Sequence, residues 1–134
     1  MKKWRILFFL LALALLFTGC RPSPKAQCRY TTRVEITCDY EGGTIRRSYT
    51  QEDKMGAVLL YLRLLKKEGP PDIDPNTLPS EVFQITVFLS DGSSRSYTQY
   101  GHRYIKDGLS GWRRIPADQA INLHRLFAHF DSDL

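Results

Sequence analysis

From residue 33 the chain alternates. Val34, Ile36, Cys38 and Tyr40 are apolar, and Arg33, Glu35, Thr37 and Asp39 between them are polar. That period of two predicts a half-buried strand. Gly42-Gly43 then turns the chain, and Thr44 to Tyr49 predicts the returning strand. A second hairpin follows further on. Val82 to Leu89 is more apolar throughout, with Phe83, Ile85, Val87, Phe88 and Leu89, which predicts a central strand. Asp91-Gly92 is a two-residue turn signal, and Ser94 to Tyr100 returns.

Helices follow the hairpins. Thr50 opens the first, with Asp53 three residues on in an approximate capping box. It continues to about Lys67 and stops at Glu68-Gly69-Pro70-Pro71. Met55, Val58, Leu59 and Leu62 form one apolar face. Leu60 and Leu64 fall on the other side, leaving Arg63 and Lys67 a narrow polar strip. A helix apolar nearly all round is either buried or bound to a partner. The second helix starts near Pro116, which suits a first helical position, and runs to about Phe130. Asp131 to Leu134 reads as a frayed end.

The two halves share residues as well as pattern. Arg47-Ser48-Tyr49-Thr50-Gln51 recurs unchanged as Arg95-Ser96-Tyr97-Thr98-Gln99, and Ile36-Thr37 matches Ile85-Thr86. Identities on both sides of a matching turn predict a duplication of a ββα-like unit. The turn Glu41-Gly42-Gly43 is shortened to Asp91-Gly92, where a length change costs least. The expected fold is therefore α+β: an antiparallel sheet of four to six strands with two helices on one face. The repeat units are 33–68 and 82–130, joined by a Pro-rich connector, 69–81, that contains Pro75 and Pro79.

The copies differ in one stretch. The first unit enters its helix directly after Thr50, whereas the second inserts residues 100–115. Arg103-Tyr104-Ile105 and Trp112-Arg113-Arg114 are expected to pair as short strands around a turn over Gly108 to Gly111. The insertion gathers Tyr100, Arg103, Tyr104, Lys106, Trp112, Arg113 and Arg114 against a single acid, Asp107. Aromatic residues and arginines are the usual anchors of interfaces, so these seven are the candidate binding residues. Their alternative fate is a hairpin whose aromatics fill the core. Arg47 and Arg95, at equivalent repeat positions, are either two solvated strand arginines lying over their tyrosines or the frame of an anionic groove.

The start of the chain belongs to a different pattern. Met1 to Arg5 is a short basic stretch, Ile6 to Phe17 is an unbroken apolar run, and Thr18-Gly19-Cys20 closes it. A basic n-region, an apolar h-region and small residues at the end make a secretory signal. The run falls well short of the ~20 apolar residues of a membrane span. Cys20 after Thr-Gly resembles the lipobox of bacterial lipoproteins. That resemblance implies a signal peptide over 1–19, lipidation of Cys20, and attachment to the extracytoplasmic face of the bacterial cell envelope. Two long acyl chains contribute on the order of 20 kcal/mol of membrane attachment, against about 1 kcal/mol for one basic residue. Arg21 to Gln27, with two prolines, reads as part of a lipidated tether over 20–29, leaving residues 30–134 as a single domain.

Loss of the signal changes the charge. The full chain carries 19 Lys and Arg against 14 Asp and Glu. Lys2, Lys3 and Arg5 leave with the signal, so the mature chain has a net charge of +2. Nucleic acid is then a poor partner. The remaining cysteines, Cys28 and Cys38, could pair outside the cytoplasm, but on one continuous strand they would lie about 33 Å apart. A bridge needs a reversal near Tyr30; otherwise Cys38 is a buried thiol.

Catalytic patterns are thin. The chain has no Gly-x-Ser-x-Gly elbow, no Cys-x-x-Cys and no His-Glu-x-x-His. His124 shares a helix side with Ala120, Leu123 and Phe127, as a core histidine would. His102 and Asp107 share the insertion but lack a nucleophile. The reading is a non-enzymatic envelope lipoprotein, without metal or cofactor, that binds a protein or peptide through residues 100–114. Two alternatives stand beside it: an accessory subunit docking through Leu60 and Leu64, and a small-ligand binder or hydrolase using His102.

Overall fold

Alternation in the sequence becomes one six-stranded antiparallel sheet in a computed structural model that describes residues 29–77, 81–108 and 110–133. The strands are β1 (Thr31–Tyr40), β2 (Gly43–Tyr49), β3 (Val82–Leu89), β4 (Ser94–Tyr100), β5 (Tyr104–Asp107) and β6 (Trp112–Arg114), in the order β2-β1-β3-β4-β5-β6. The two helices are α1 (Glu52–Leu64) and α2 (Ala117–His129), and a short 3-10 turn spans Pro75–Thr77. The chain divides into Met1–Tyr30 and Thr31–Leu134, and all the strands and helices of the described residues belong to the second unit. The signal region, Cys20, Cys28 and most of the expected tether lie outside the described residues.

The most apolar strands occupy the middle. Val34, Ile36 and Cys38 of β1 lie opposite Val87, Ile85 and Phe83 of β3, and all six side chains are buried. Both helices pack on this row. Met55, Val58 and Tyr61 of α1, Leu65 just beyond it, and Ala120, Leu123 and Phe127 of α2 join one core cluster with these strand residues. Each fully buried aliphatic side chain contributes about 1.5–3 kcal/mol. Tyr61 joins Met55 and Val58 on the buried face, while Leu59 and Leu62 are only partly buried. The helix stops at Leu64, before the expected Lys67. There Leu65 turns extended to bury its side chain, and the Lys66 amide donates to Gln119 Oε1 at 2.9 Å.

Both outer strands are partly covered, which limits pairing with another chain. On the β6 side the connector returns: the Glu68 amide donates to the Arg114 carbonyl (2.8 Å) and the Arg114 amide to the Gly69 carbonyl (3.0 Å). On the β2 side the C-terminal residues do the same work, contrary to the expectation of a frayed end. The Asp133 amide donates to the Ser48 carbonyl (2.8 Å), and the Ser48 amide donates to Ser132 Oγ (2.9 Å).

Those residues also replace the expected capping box. Gln51, not Thr50, is the N-cap of α1, and it makes no side-chain cap bond. Asp133 Oδ2 accepts the amides of Thr50 (2.8 Å) and Gln51 (3.0 Å), while Oδ1 pairs with Lys54 Nζ at 2.7 Å. A carboxylate at a helix N-terminus takes up unsatisfied amides and suits the helix dipole. With Lys54 and those two amides around it, the Asp133 carboxyl is held down at about 2.

The hairpins differ in register. Ile36 faces Arg47 across β1 and β2, but Ile85, its counterpart, faces Tyr97 rather than Arg95. The first turn holds two residues between paired Tyr40 and Gly43, whereas five residues, Leu89 to Ser93, lie between paired Phe88 and Ser94, with the Leu89 amide donating to the Ser93 carbonyl at 2.9 Å. Asp91 braces that wider turn by accepting the Ser93 amide at 3.0 Å, so the expected two-residue Asp91-Gly92 reversal is not what forms. The slide of two residues keeps each side chain on its face but moves Tyr97 to mid-sheet and Arg95 out into solvent.

Candidate functional site

The inserted stretch forms β5 and β6, paired as Tyr104 with Arg114, Ile105 with Arg113, and Lys106 with Trp112. Alternation divides its side chains between two faces. Ile105 enters the core under the helices, and Arg113, opposite it, shares that side, lining a small hollow of about 180 Å³ with Lys67 and Asp107. The other face carries Tyr100, Tyr104, Lys106, Trp112 and Arg114. Tyr100 and Trp112 meet edge to face at 5.3 Å, and Lys106 Nζ lies 5.9 Å from the Trp112 ring centre.

Tyr104 is not available as a binding residue. It is 1% exposed, because the connector packs against it and its hydroxyl donates to Asp72 Oδ1. That bond raises the tyrosine and lowers the aspartate from their ordinary pKa values. Arg103 closes the arrangement, with its guanidinium 5.5 Å over the Tyr104 ring and 3.7 Å from Asp72 Oδ2. Of the seven candidates, only Tyr100, Lys106 and Trp112 form a shared cluster, and all three are half-buried; the exposed Arg103 and Arg114 flank it and Arg113 faces away.

A larger concavity lies between the helices. Their antiparallel course follows from two ties: Lys66 to Gln119 at one end, and Lys54 Nζ to the Asp131 carbonyl (3.0 Å) at the other. Between these ties is an open groove of about 540 Å³. Its apolar lining comes from Ala57, Leu60, Tyr61, Leu64 and Leu65 on the α1 side and from Leu126 and Phe130 on the α2 side. Gln119, Asn122, Arg125 and His129 supply the polar groups, and no carboxylate contributes. Leu60 and Leu64 stand at its lip, 53% and 65% exposed. The α2 contribution recurs at positions 119, 122, 126 and 129, a helical stripe that sequence reading misses because most of it is polar.

One polar cluster ties the floor of the groove to the sheet. Gln99 is fully buried. Its Oε1 accepts the Tyr61 hydroxyl, and its Nε2 donates to the carbonyls of Gly101 (2.9 Å) and Ala120 (3.3 Å). Burial raises the Tyr61 hydroxyl far above its ordinary range.

The histidines separate from the acid expected to serve them. Asp107 pairs with Lys67 at 3.4 Å, at the far end of β5 from His102. His102 instead meets the His124 ring at 4.2 Å. His124 Nδ1 lies 3.2 Å from Glu81 Oε2, its ring packs on Phe83 at 4.6 Å, and its Nε2 is buried with no hydrogen-bond partner among the described residues. Burial lowers its pKa, with His102 adding to the effect and Glu81 opposing it. Among the described residues no group of three or more His, Cys, Asp or Glu side chains is placed to hold a metal ion. Cys38 is a buried thiol. Arg47 is not over its tyrosine: its guanidinium sits 4.4 Å over the Phe127 ring and donates to the Phe130 carbonyl at 3.2 Å.

Comparison with protein-family models, curated proteins and solved structures finds no match to this chain. Among the described residues no helix is long and apolar enough to cross a membrane.

Proposed function

We propose that this protein is a lipid-tethered, non-enzymatic docking module of the bacterial envelope that holds a protein partner in the groove between α1 and α2. The observation that carries the docking reading is the open apolar groove with Leu60 and Leu64 exposed at its lip. Exposed apolar surface of this kind, with a polar rim, is the ordinary mark of an interaction site. The tether rests on the signal and on Cys20. The same reading treats the two ββα-like halves as products of duplication, supported by the repeated pentapeptide and by the pairing of the equivalent residues Ile36 and Ile85 at the centre of the sheet.

A photo-crosslinking residue placed at Leu60 or Leu64 of the membrane-borne protein is expected to give discrete protein adducts, while the same residue at Trp112 gives none. Adducts at Trp112 alone would move the partner to the strand insertion. That second reading is favoured by the half-buried cluster of Tyr100, Lys106 and Trp112, flanked by the exposed Arg103 and Arg114. The tether has its own test. Cys20→Ser should shift the protein from the membrane to soluble or unprocessed fractions, and unchanged fractionation with normal signal removal would refute lipidation.

A further inference from the structure

We infer that the occupant of the groove is an acidic amphipathic helix of the partner, an identification that rests on the docking reading above. Three features select it. The first is shape: the groove is open, and Leu60 and Leu64 remain largely in water. A small ligand is ordinarily held with 70–90% of its surface covered, which an open trough does not do. A helix needs only one side covered and leaves its polar side in water.

Length is the second. The lining runs from Ala57 to Leu65 along one wall and from Gln119 to Phe130 along the other. At 1.5 Å per residue these walls are about 12 and 16 Å long. That matches two to three helical turns, enough for apolar anchors at i, i+3 or i+4, and i+7. The third feature is charge. Arg125 and His129 line the groove, no carboxylate does, and Arg125 makes no hydrogen bond or ion pair among the described residues. Carboxylates flanking the apolar anchors of an incoming helix would meet the Arg125 guanidinium. A second copy of this chain would bring its own Arg125 and His129 to the contact and is the poorer fit.

The test uses the full chain in phosphatidylcholine nanodiscs and a displayed library of 18-residue helical peptides. The library carries fixed Leu or Phe anchors at i, i+3, i+4 and i+7 and Glu, Lys, Gln or Ala at the flanking positions. Selection should enrich Glu beside the anchors. Leu60→Glu should weaken the selected peptides at least tenfold and Arg125→Ala about two- to fivefold, the range of an exposed charge pair. Arg125→Glu should turn the preference from Glu to Lys. Binders lost with Leu60→Glu but indifferent to flanking charge would overturn the acidic helix and leave the docking reading standing. Binders lost with Trp112→Ala but not with Leu60→Glu would overturn both. Two further results would also refute the acidic helix. One is a concentration-dependent dimer abolished by Leu60→Glu; the other is binding to phosphatidylglycerol vesicles abolished by Leu60→Glu with Leu64→Glu.

Discussion

Replacing Gln99 by Leu removes a buried side-chain amide that joins the sheet to both helices. The side chains are similar in size, so the change isolates the hydrogen bonds. Gln99 is fully buried, and its amide meets the Tyr61 hydroxyl and the carbonyls of Gly101 and Ala120. The substitution leaves the Tyr61 hydroxyl, itself nearly buried, without an acceptor. An orphaned buried group costs about 1–3 kcal/mol, and the lost bond to Gly101 adds about 1 kcal/mol. The Ala120 carbonyl lies inside α2, so losing Gln99 costs it little. Gln99→Leu should therefore destabilise by about 2–4 kcal/mol. For a domain of this size that is a fall of roughly 10–30 °C in melting temperature. Tyr61→Phe should cost about 1–2 kcal/mol, because it leaves Gln99 Oε1 unpaired. The double variant removes both orphans. It should be more stable than Gln99→Leu alone, with a coupling of 0.5 kcal/mol or more, measured by urea unfolding of all four proteins. A neutral Gln99→Leu, or strictly additive costs, would refute this account of the network.

Three further outcomes follow from the charged and titrating groups. Asp133 titrates at about 2 in the folded protein against 3.8 when free. Its contribution is therefore fully present above pH 4 and lost as pH falls through 2; Asp133→Asn should remove that acid-dependent part of the denaturant midpoint. His124 is lowered below 6.5 by burial and by His102. The unfolded chain therefore binds its proton first, and stability should decline as pH falls below 6.5. His124→Phe should flatten the profile between pH 7.5 and 5, and an unchanged slope would refute the assignment. The Cys38 thiol is raised to about 11, by burial first and then by the carboxylates of Glu81 and Asp39. In a Cys28→Ser background with Cys20 acylated, Cys38 of the folded protein should react with a thiol reagent at pH 8 far more slowly than in urea, with the rate read by absorbance.

Strand periodicity was legible because it is local. Val34-Ile36-Cys38 and Phe83-Ile85-Val87 declare their buried face within six residues, and the low polarity of Val82 to Leu89 predicts its central position. The pairing of β5 with β6 could be read from the turn residues between them. The helical groove could not be read as a whole. Leu60 and Leu64 are conspicuous, but their opposite wall is a mostly polar stripe of α2, brought alongside by antiparallel packing. Tyr104 belongs to the same class of miss. Its strand position leaves it free to face solvent, and the long-range bond to Asp72 of the connector, with Arg103 over its ring, is nothing the local pattern shows.

Arg-Ser-Tyr-Thr-Gln, present twice, marks the boundary between the two kinds of information. By itself the sequence determined that each copy lies on a returning strand, since it follows a turn and carries the strand-favouring Tyr and β-branched Thr side by side. It did not determine what each side chain touches. In the first copy Arg47 covers Phe127, Tyr49 is buried with its hydroxyl on the Phe130 carbonyl, and Gln51 is an exposed helix cap. In the second copy Arg95 is in water, Tyr97 stands at mid-sheet opposite Ile85, and Gln99 is the buried hub of both helices. A wider turn, a slide of two residues in register and a strand that continues past Thr98 separate these fates. Backbone preference travels with five residues. Burial and partners depend on what the rest of the chain lays across them.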